Sequence, residues 1–125
     1  MPADKDPDYI VVNTASKSVI ATRVRVAATS SSRRKGLLGA DTLNEASGLW
    51  IAPCEAIHTF GMRIPIDAIF LDRECRIRKL VTALPPYRIS LCLRADSVLE
   101  LAAGTILRTG TKVGDYLTFE AAPLH

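Results

Sequence analysis

The sequence of 125 residues contains none of the long apolar runs that mark membrane proteins, and we expect no leader segment. No apolar stretch approaches the roughly 20 residues that a membrane-spanning helix needs. Residues 1–8 (MPADKDPD) are acidic and interrupted by proline, unlike the basic and apolar start of a signal peptide. We therefore expect a cytoplasmic protein with no membrane partner.

Cysteine and histidine are scarce, with three and two residues respectively. Cys54, Cys75 and Cys92 are odd in number and widely spaced, which does not fit a disulfide framework. A structural zinc site would need four closely spaced ligands, yet no C-x-x-C pair occurs and the second histidine is the terminal His125. We expect free thiols, no metal and no cofactor.

Excess charge of either sign is also small, because 16 Lys and Arg stand against 13 Asp and Glu. The basic residues are dispersed except at 33–35 and 73–79. Such short clusters are typical of solvated turns and helix ends, and a net charge of +3 identifies no anionic partner. A nucleic-acid partner is therefore the less favoured interpretation of these clusters.

Apolar residues are plentiful, at 48% of the chain, which is enough for one core at this length. We predict a disordered tail at 1–8, a single β-rich domain over 9–120 and a second tail at 121–125. Short apolar or alternating runs separated by Gly and Pro indicate strands. The predicted strands cover residues 9–13, 19–28, 48–52, 57–62, 66–72, 76–81, 98–101 and 116–120.

One helix start is well marked. The hydroxyl residues at 29–32 can cap a short helix over 33–38, which Gly39 would end. Residues 84–87 (LPPY) do not fit a central strand, because proline has no N–H to donate. Many short strands with one short helix predict a mainly β fold, either barrel-like or sandwich-like.

Two residues form the first candidate for chemistry. Cys54 and His58 have a C-x-x-x-H spacing, which a helical turn would bring together. An extended chain would instead hold them about 13 Å apart. Two interpretations stay open: a thiol nucleophile with its base, or a buried thiol beside a hydrogen-bonded histidine.

Asp67 is the second candidate, because it interrupts an apolar strand and shares a face with Ile69 and Leu71. A carboxylate there must find partners. It either holds the structure, accepting from the turn at 63–65 or from a facing loop, or acts as a poised acid in a cleft. We favour the structural role. Glu100, within the apolar run 98–102, is a weaker case of the same kind.

Four motifs occur in order along the chain: RKGLLG at 34–39, the run at 57–72 (IHTFGMRIPIDAIFLD), VLELAAG at 98–104 and VGD at 113–115. With these motifs, residues 19–119 resemble DUF family 192, small bacterial and archaeal proteins of no established function. The resemblance implies a compact, β-rich, barrel-like fold with little helix, and it implies no reaction. Many family members carry Trp-Met at the positions of His58 and Thr59, so no catalytic role for His58 follows.

We predict a small non-enzymatic ligand-binding or accessory module with a cleft near His58, Met62 and Asp67, and with Cys54 as a further candidate. Its partner would be a small molecule or a protein. The first alternative is a small enzyme that uses the Cys54 thiolate or the Asp67 carboxylate. The second alternative is a weak nucleic-acid binder that uses the basic clusters at 33–35 and 73–79.

Overall fold

Short strands dominate the structure because β-branched and other apolar residues come in short runs between turn residues. The computed structural model describes residues 8–27 and 43–123. The predicted helix at 33–38 and most of the predicted tails lie outside these residues. The described elements are β1 (Tyr9–Asn13), β2 (Val19–Ala27), β3 (Ser47–Ile51), β4 (Ala56–His58), β5 (Ile66–Leu71), β6 (Ile77–Leu84), β7 (Ile89–Leu91), β8 (Ser97–Ala102), α1 (Thr105–Thr109) and β9 (Leu117–Ala121).

Seven strands form one sheet in the order β6-β5-β8-β3-β2-β1-β9. All neighbours are antiparallel except β2 and β3, which are parallel. The two edge strands approach each other, since Arg76 and Tyr116 pair as a bridge and the Leu117 N–H donates to the Cys75 carbonyl at 2.9 Å. The sheet therefore curls on itself, which confirms the predicted mainly β, barrel-like fold.

The central strands β5 and β8 are buried along their whole length. Each strand sends alternate side chains to two apolar clusters on opposite faces of the sheet. One cluster, the inner core, contains residues from most strands of the curled sheet and from the helix: Val11, Ile20, Ala21, Val24, Ile69, Leu71, Ile77, Leu99, Leu101, Ile106 and Leu117. The outer core lies on the other face: Ala27, Leu49, Ile51, Ile57, Met62, Ile66, Ala68, Phe70, Leu84 and Val98.

Strands β4 and β7 form a separate two-stranded sheet that packs on the outer core through Ile57. β7 was not predicted from the sequence. The strand predicted over 57–62 is shorter than expected, because β4 ends at His58. A turn follows, in which the Met62 N–H donates to the Thr59 carbonyl at 3.1 Å and Gly61 has a positive φ of 86°.

The helix α1 was also not predicted, since its five residues TILRT are mostly β-branched and disfavour helix. It starts after Gly104, whose φ of 97° suits glycine, and it places Ile106 in the inner core. α1 packs against β2 and β6. Within the part of the chain that the structure describes, no helix is long and apolar enough to cross a membrane.

Candidate functional site

The two-stranded sheet has one buried side and one exposed side. β4 and β7 pair antiparallel, with Ile57 opposite Ser90 and His58 opposite Ile89. Ile57 and Ser90 are only 7% and 8% exposed, because they point to the outer core. Since neighbouring side chains in a strand alternate, His58, Ile89 and Leu91 point to solvent.

Five large apolar side chains are exposed in this sheet and its flanking turns, and we call this surface the apolar face: Ile89 and Leu91 in β7, Phe60 after β4, and Tyr87 and Leu93 on either side of β7. Phe60 and Leu91 are 46% and 49% exposed, and Tyr87, Ile89 and Leu93 are 68%, 65% and 77% exposed. They are five of the nine large apolar side chains that are exposed among the described residues. Monomeric proteins seldom gather such side chains on one surface unless another molecule covers it.

Ring contacts connect His58 at the end of β4 to the turn that follows it and to the loop before β7. The ring centres of His58 and Phe60 are 5.3 Å apart, and those of Phe60 and Tyr87 are 6.3 Å apart. The His58 Nδ1 atom accepts the Phe60 N–H at 3.2 Å. This bond holds the imidazole at the border of the apolar face.

Thr59, which is completely buried, fixes the backbone beneath the apolar face. Its N–H donates to the Arg88 carbonyl at 2.8 Å, and its carbonyl accepts the Tyr87 N–H at 3.1 Å. Its hydroxyl donates to the Pro85 carbonyl at 2.6 Å and accepts the Arg88 N–H at 2.8 Å. These four bonds tie the turn after β4 to the loop before β7, so the face is preorganised.

Two cationic side chains contact the backbone of the apolar face, and a third cation follows Leu93 in the chain. The Lys79 ammonium donates to the Leu91 carbonyl at 2.8 Å, and the Arg88 guanidinium donates to the Tyr87 carbonyl at 3.3 Å. Arg94 is exposed in the turn that follows β7. Among the described residues, none of these three cations forms an ion pair with a carboxylate.

Cys54, the residue predicted to supply a thiol, is half-buried just before β4. Its thiol donates to the Ala56 carbonyl at 3.0 Å, whereas the imidazole of His58 accepts from the chain at Phe60. The thiol and the imidazole are not hydrogen-bonded to each other, so they are not arranged as a nucleophile and its base. Across 8–27 and 43–123, no group of three or more His, Cys, Asp and Glu side chains is placed to bind a metal.

Met62 and Asp67 are buried on opposite sides of the large sheet. Met62 is 5% exposed and belongs to the outer core, next to Ile57. Asp67 is fully buried and shares its face of β5 with Ile69 in the inner core. The structure therefore does not bring Asp67 together with His58 and Met62. That these residues bind a ligand stays a prediction.

The Asp67 carboxylate joins three elements of the fold. One oxygen accepts the Ala83 N–H and the other accepts the Ile106 N–H, both at 2.8 Å. The pairing of β5 with β6 shifts register between Ile66 and Ala68, which frees the Ala83 N–H for the carboxylate. The expectation that the donors come from the turn at 63–65 or a facing loop is wrong. They come from the end of β6 and the start of α1.

Glu100 is a second buried carboxylate, and its surroundings differ from those of Asp67. It is 5% exposed and lies on the face of β8 that carries Val98 of the outer core. No described residue donates a hydrogen bond to its side chain, and burial raises the pKa of Glu100 to about 7. The sequence suggests that Asp67 is the more unusual carboxylate, but Glu100 is the one that finds no hydrogen-bond donor among residues 8–27 and 43–123.

The basic residues at 73–79 do not form one open cationic surface. The Arg73 guanidinium lies 3.8 Å from Asp96, and the Arg78 guanidinium lies 2.9 Å from Asp72. Arg76 lies over an aromatic ring, 5.8 Å from its centre. The other predicted cluster, at 33–35, is outside the described residues.

The apolar face was missed in the sequence, although a signal was present. Residues 87–93 (YRISLCL) alternate strictly between large apolar and smaller or polar side chains, which is typical of a strand. The two prolines just before this segment favour a loop instead. Alternation also does not tell which side of a strand faces solvent, and here the apolar side does.

Comparisons with known proteins agree with this fold. The chain is similar to a protein of unknown function from Novosphingobium aromaticivorans DSM 12444, with a TM-score of 0.77 and 25% identity over 94% of this chain and 89% of that one. It is also similar to a protein from Sinorhizobium meliloti 1021 whose name proposes a transcription regulator, with a TM-score of 0.83 and 24% identity over 95% and 98%. No curated protein matches the chain. The model of the DUF192 family, described as "Uncharacterized ACR", matches residues 11–119, and the chain therefore belongs to the DUF192 family.

Proposed function

We propose that this protein is a non-enzymatic binding module that recognises a partner protein through the apolar face. The observation that carries the proposal is the exposure of five large apolar side chains in one small sheet and its flanking turns. Small ligands are usually held in clefts that enclose them. The exposed side of a two-stranded sheet is an open surface that cannot enclose a small ligand. It can instead contact the surface or a segment of another protein.

The chemistry of the apolar face fits such a contact. Tyr and Phe are enriched where proteins bind each other, and aliphatic neighbours exclude water around them. Each side chain that is covered contributes on the order of 1 to 2 kcal/mol. The hydrogen bonds of Thr59 hold the backbone in place before binding, which lowers the entropy lost on association.

The proposal moves the predicted binding site from a cleft to the apolar face. His58 remains as a border residue, since its ring lies 5.3 Å from that of Phe60. Met62 supports the sheet from the outer core, and Cys54 lies at the start of β4. Asp67 has no part in this contact, because it faces the inner core.

Nucleic-acid binding has less support. The relative whose name proposes a transcription regulator shares only the fold with this chain at 24% identity. The cationic side chains Arg73 and Arg78 lie beside carboxylates. Two cations of the predicted cluster at 73–79 thus already lie beside an anion, which weakens their attraction for phosphate.

The test compares proteins retained from a lysate of the producing cells by immobilised wild type and by the double variant Ile89→Ser with Leu91→Ser. The matched control is Leu107→Ser with Val113→Ser, two residues that are 85% and 61% exposed elsewhere. We expect wild type and control to retain the same partner in near-stoichiometric amount. The Ile89 and Leu91 variant should retain roughly tenfold less.

Thermal unfolding must show that both variants fold like the wild type, so that a loss of retention reports on the surface. Equal retention by the apolar-face variant would contradict the proposal. So would the absence of any partner retained by the wild type.

A further inference from the structure

The charges around the apolar face limit what can cover it. Lys79, Arg88 and Arg94 border it without ion-pair partners among the described residues. On the acidic side, Glu55 is exposed next to β4. Asp96 is also nearby in the chain but lies 3.8 Å from Arg73. The three cations outnumber Glu55, so the border of the apolar face carries a net positive charge.

Two of these cations are held close to the apolar side chains. The Lys79 ammonium is fixed by the carbonyl of Leu91, and it also lies 5.6 Å from the centre of the Phe70 ring. The Arg88 guanidinium is fixed by the carbonyl of Tyr87. Cations placed at the rim of an apolar surface favour a partner with carboxylates at matching positions.

A second copy of this chain does not fit the same surface. In a two-fold symmetric pair the same patch meets itself. The net positive border of one copy would then lie against the equally positive border of the other. Like charges brought together at an interface oppose association.

A membrane surface fits less well than a protein segment. Anionic headgroups would surround the whole rim, including the exposed carboxylate of Glu55. A protein segment can place its carboxylates opposite the cations and leave Glu55 beside a neutral residue. The two fixed cations Lys79 and Arg88 also favour discrete carboxylates over mobile lipids.

From this charge pattern and the proposed function, on which the inference rests, we infer that the partner presents an acidic segment with apolar side chains. Its carboxylates meet Lys79, Arg88 and Arg94, and its apolar side chains cover Ile89 and Leu91. The class of partner is therefore an acidic, amphipathic protein segment.

The test uses fluorescence anisotropy with a short synthetic peptide of alternating Leu and Glu, at concentrations where the peptide is monomeric. The Leu and Glu peptide should bind, and added salt should weaken the binding. The triple variant Lys79→Gln, Arg88→Gln, Arg94→Gln should lose affinity roughly fivefold or more. The matched control, Arg23→Gln with Arg25→Gln on the exposed side of β2, should bind like the wild type.

Two further probes distinguish the alternatives: a Leu and Lys peptide, and phosphatidylcholine vesicles with and without phosphatidylglycerol. Equal binding of the Leu and Lys peptide would overturn the inference, and so would unchanged binding by the triple variant. Binding to the anionic vesicles without binding to the Leu and Glu peptide would favour a membrane and overturn it too. If the peptide fails but the lysate test retains a partner, this inference falls and the proposed function stands.

Discussion

The seven-stranded sheet and the two-stranded sheet use their apolar residues differently. In the large sheet, every residue of β5 and β8 is buried, since both faces carry a core. In the small sheet, Ile57 is buried while Ile89 and Leu91 are 65% and 49% exposed. The apolar residues of the large sheet therefore hold the fold, whereas the outward ones of the small sheet remain exposed to solvent.

The large sheet contains a second contrast, between two carboxylates in apolar strands. Asp67 and Glu100 are both buried, but Asp67 accepts two backbone N–H groups and Glu100 accepts none from the described residues. The cost of a buried carboxylate depends on the donors around it as well as on its burial. The two positions should therefore respond to mutation in opposite directions.

The largest effect is expected at Asp67. Asp67→Ala should lower the free energy of unfolding by about 3 to 4 kcal/mol, because the buried N–H of Ile106 and the partly buried N–H of Ala83 lose their acceptor. Asp67→Asn should recover part of this loss, since one amide oxygen still accepts. Urea unfolding measures both values. If Asp67→Ala were as stable as the wild type, the carboxylate would not hold the fold.

Glu100→Gln should raise the free energy of unfolding near pH 8, in contrast to the loss expected for Asp67→Ala. The pKa of Glu100 is about 7 in the folded protein against 4.5 for the free side chain, so folding favours the protonated form. Wild-type stability should thus fall as pH rises from about 4.5 to about 7, by up to about 3 kcal/mol. Glu100→Gln should remove this fall and be the more stable protein near pH 8, as measured by urea unfolding across this range.

If wild type and Glu100→Gln were equally stable near pH 8, the Glu100 carboxylate would have to be stabilised by donors that the described residues do not show. The control is the same comparison near pH 4.5, where the protonated glutamate and the amide should be equivalent. Carboxyl NMR of Glu100 through the same pH range would give its pKa directly.

A third carboxylate, Asp72, also accepts hydrogen bonds, and its mutation should have a smaller effect on stability. Partial burial would raise the pKa of Asp72, but N–H groups of Arg76 and Glu74 and the guanidinium of Arg78 lower it overall. The stability that Asp72 adds is present above the unfolded pKa of 3.8 and is lost at lower pH. Asp72→Asn should cost about 1 kcal/mol at neutral pH in thermal or urea unfolding. No loss there would mean that the turn does not depend on the charge.

The smallest effect on stability is expected at the apolar face. Ile89→Ser with Leu91→Ser should change the free energy of unfolding by no more than about 0.5 kcal/mol. Ile57→Ser, on the buried side of the same sheet, should cost about 2 to 4 kcal/mol. If urea unfolding gave similar losses for both variants, the outward residues would belong to the fold.

Much of the fold followed from the sequence, because strand patterns are local. The strand at Tyr9–Asn13 was predicted residue for residue, and most other described strands were found within a few residues. α1 was missed since its Thr and Ile residues disfavour helix, and its place depends on contacts with β2 and β6. Its stability is tertiary in origin.

The site was less predictable, because its contacts connect distant parts of the chain. The sequence showed that Asp67 needs donors, but Ala83 and Ile106 lie 16 and 39 residues away. No local pattern distinguishes the supported Asp67 from the unsupported Glu100. The apolar face likewise depends on which side of β7 meets the outer core.

The most direct test of the apolar face as a docking surface is methyl NMR of the Ile- and Leu-labelled protein during titration with the Leu and Glu peptide. Methyl signals of Ile89, Leu91 and Leu93 should shift with peptide concentration. Those of the buried Ile57 should shift little, and those of Leu107, exposed on α1, should stay unchanged. Shifts centred on Leu107, or no shifts in any methyl group, would contradict the account.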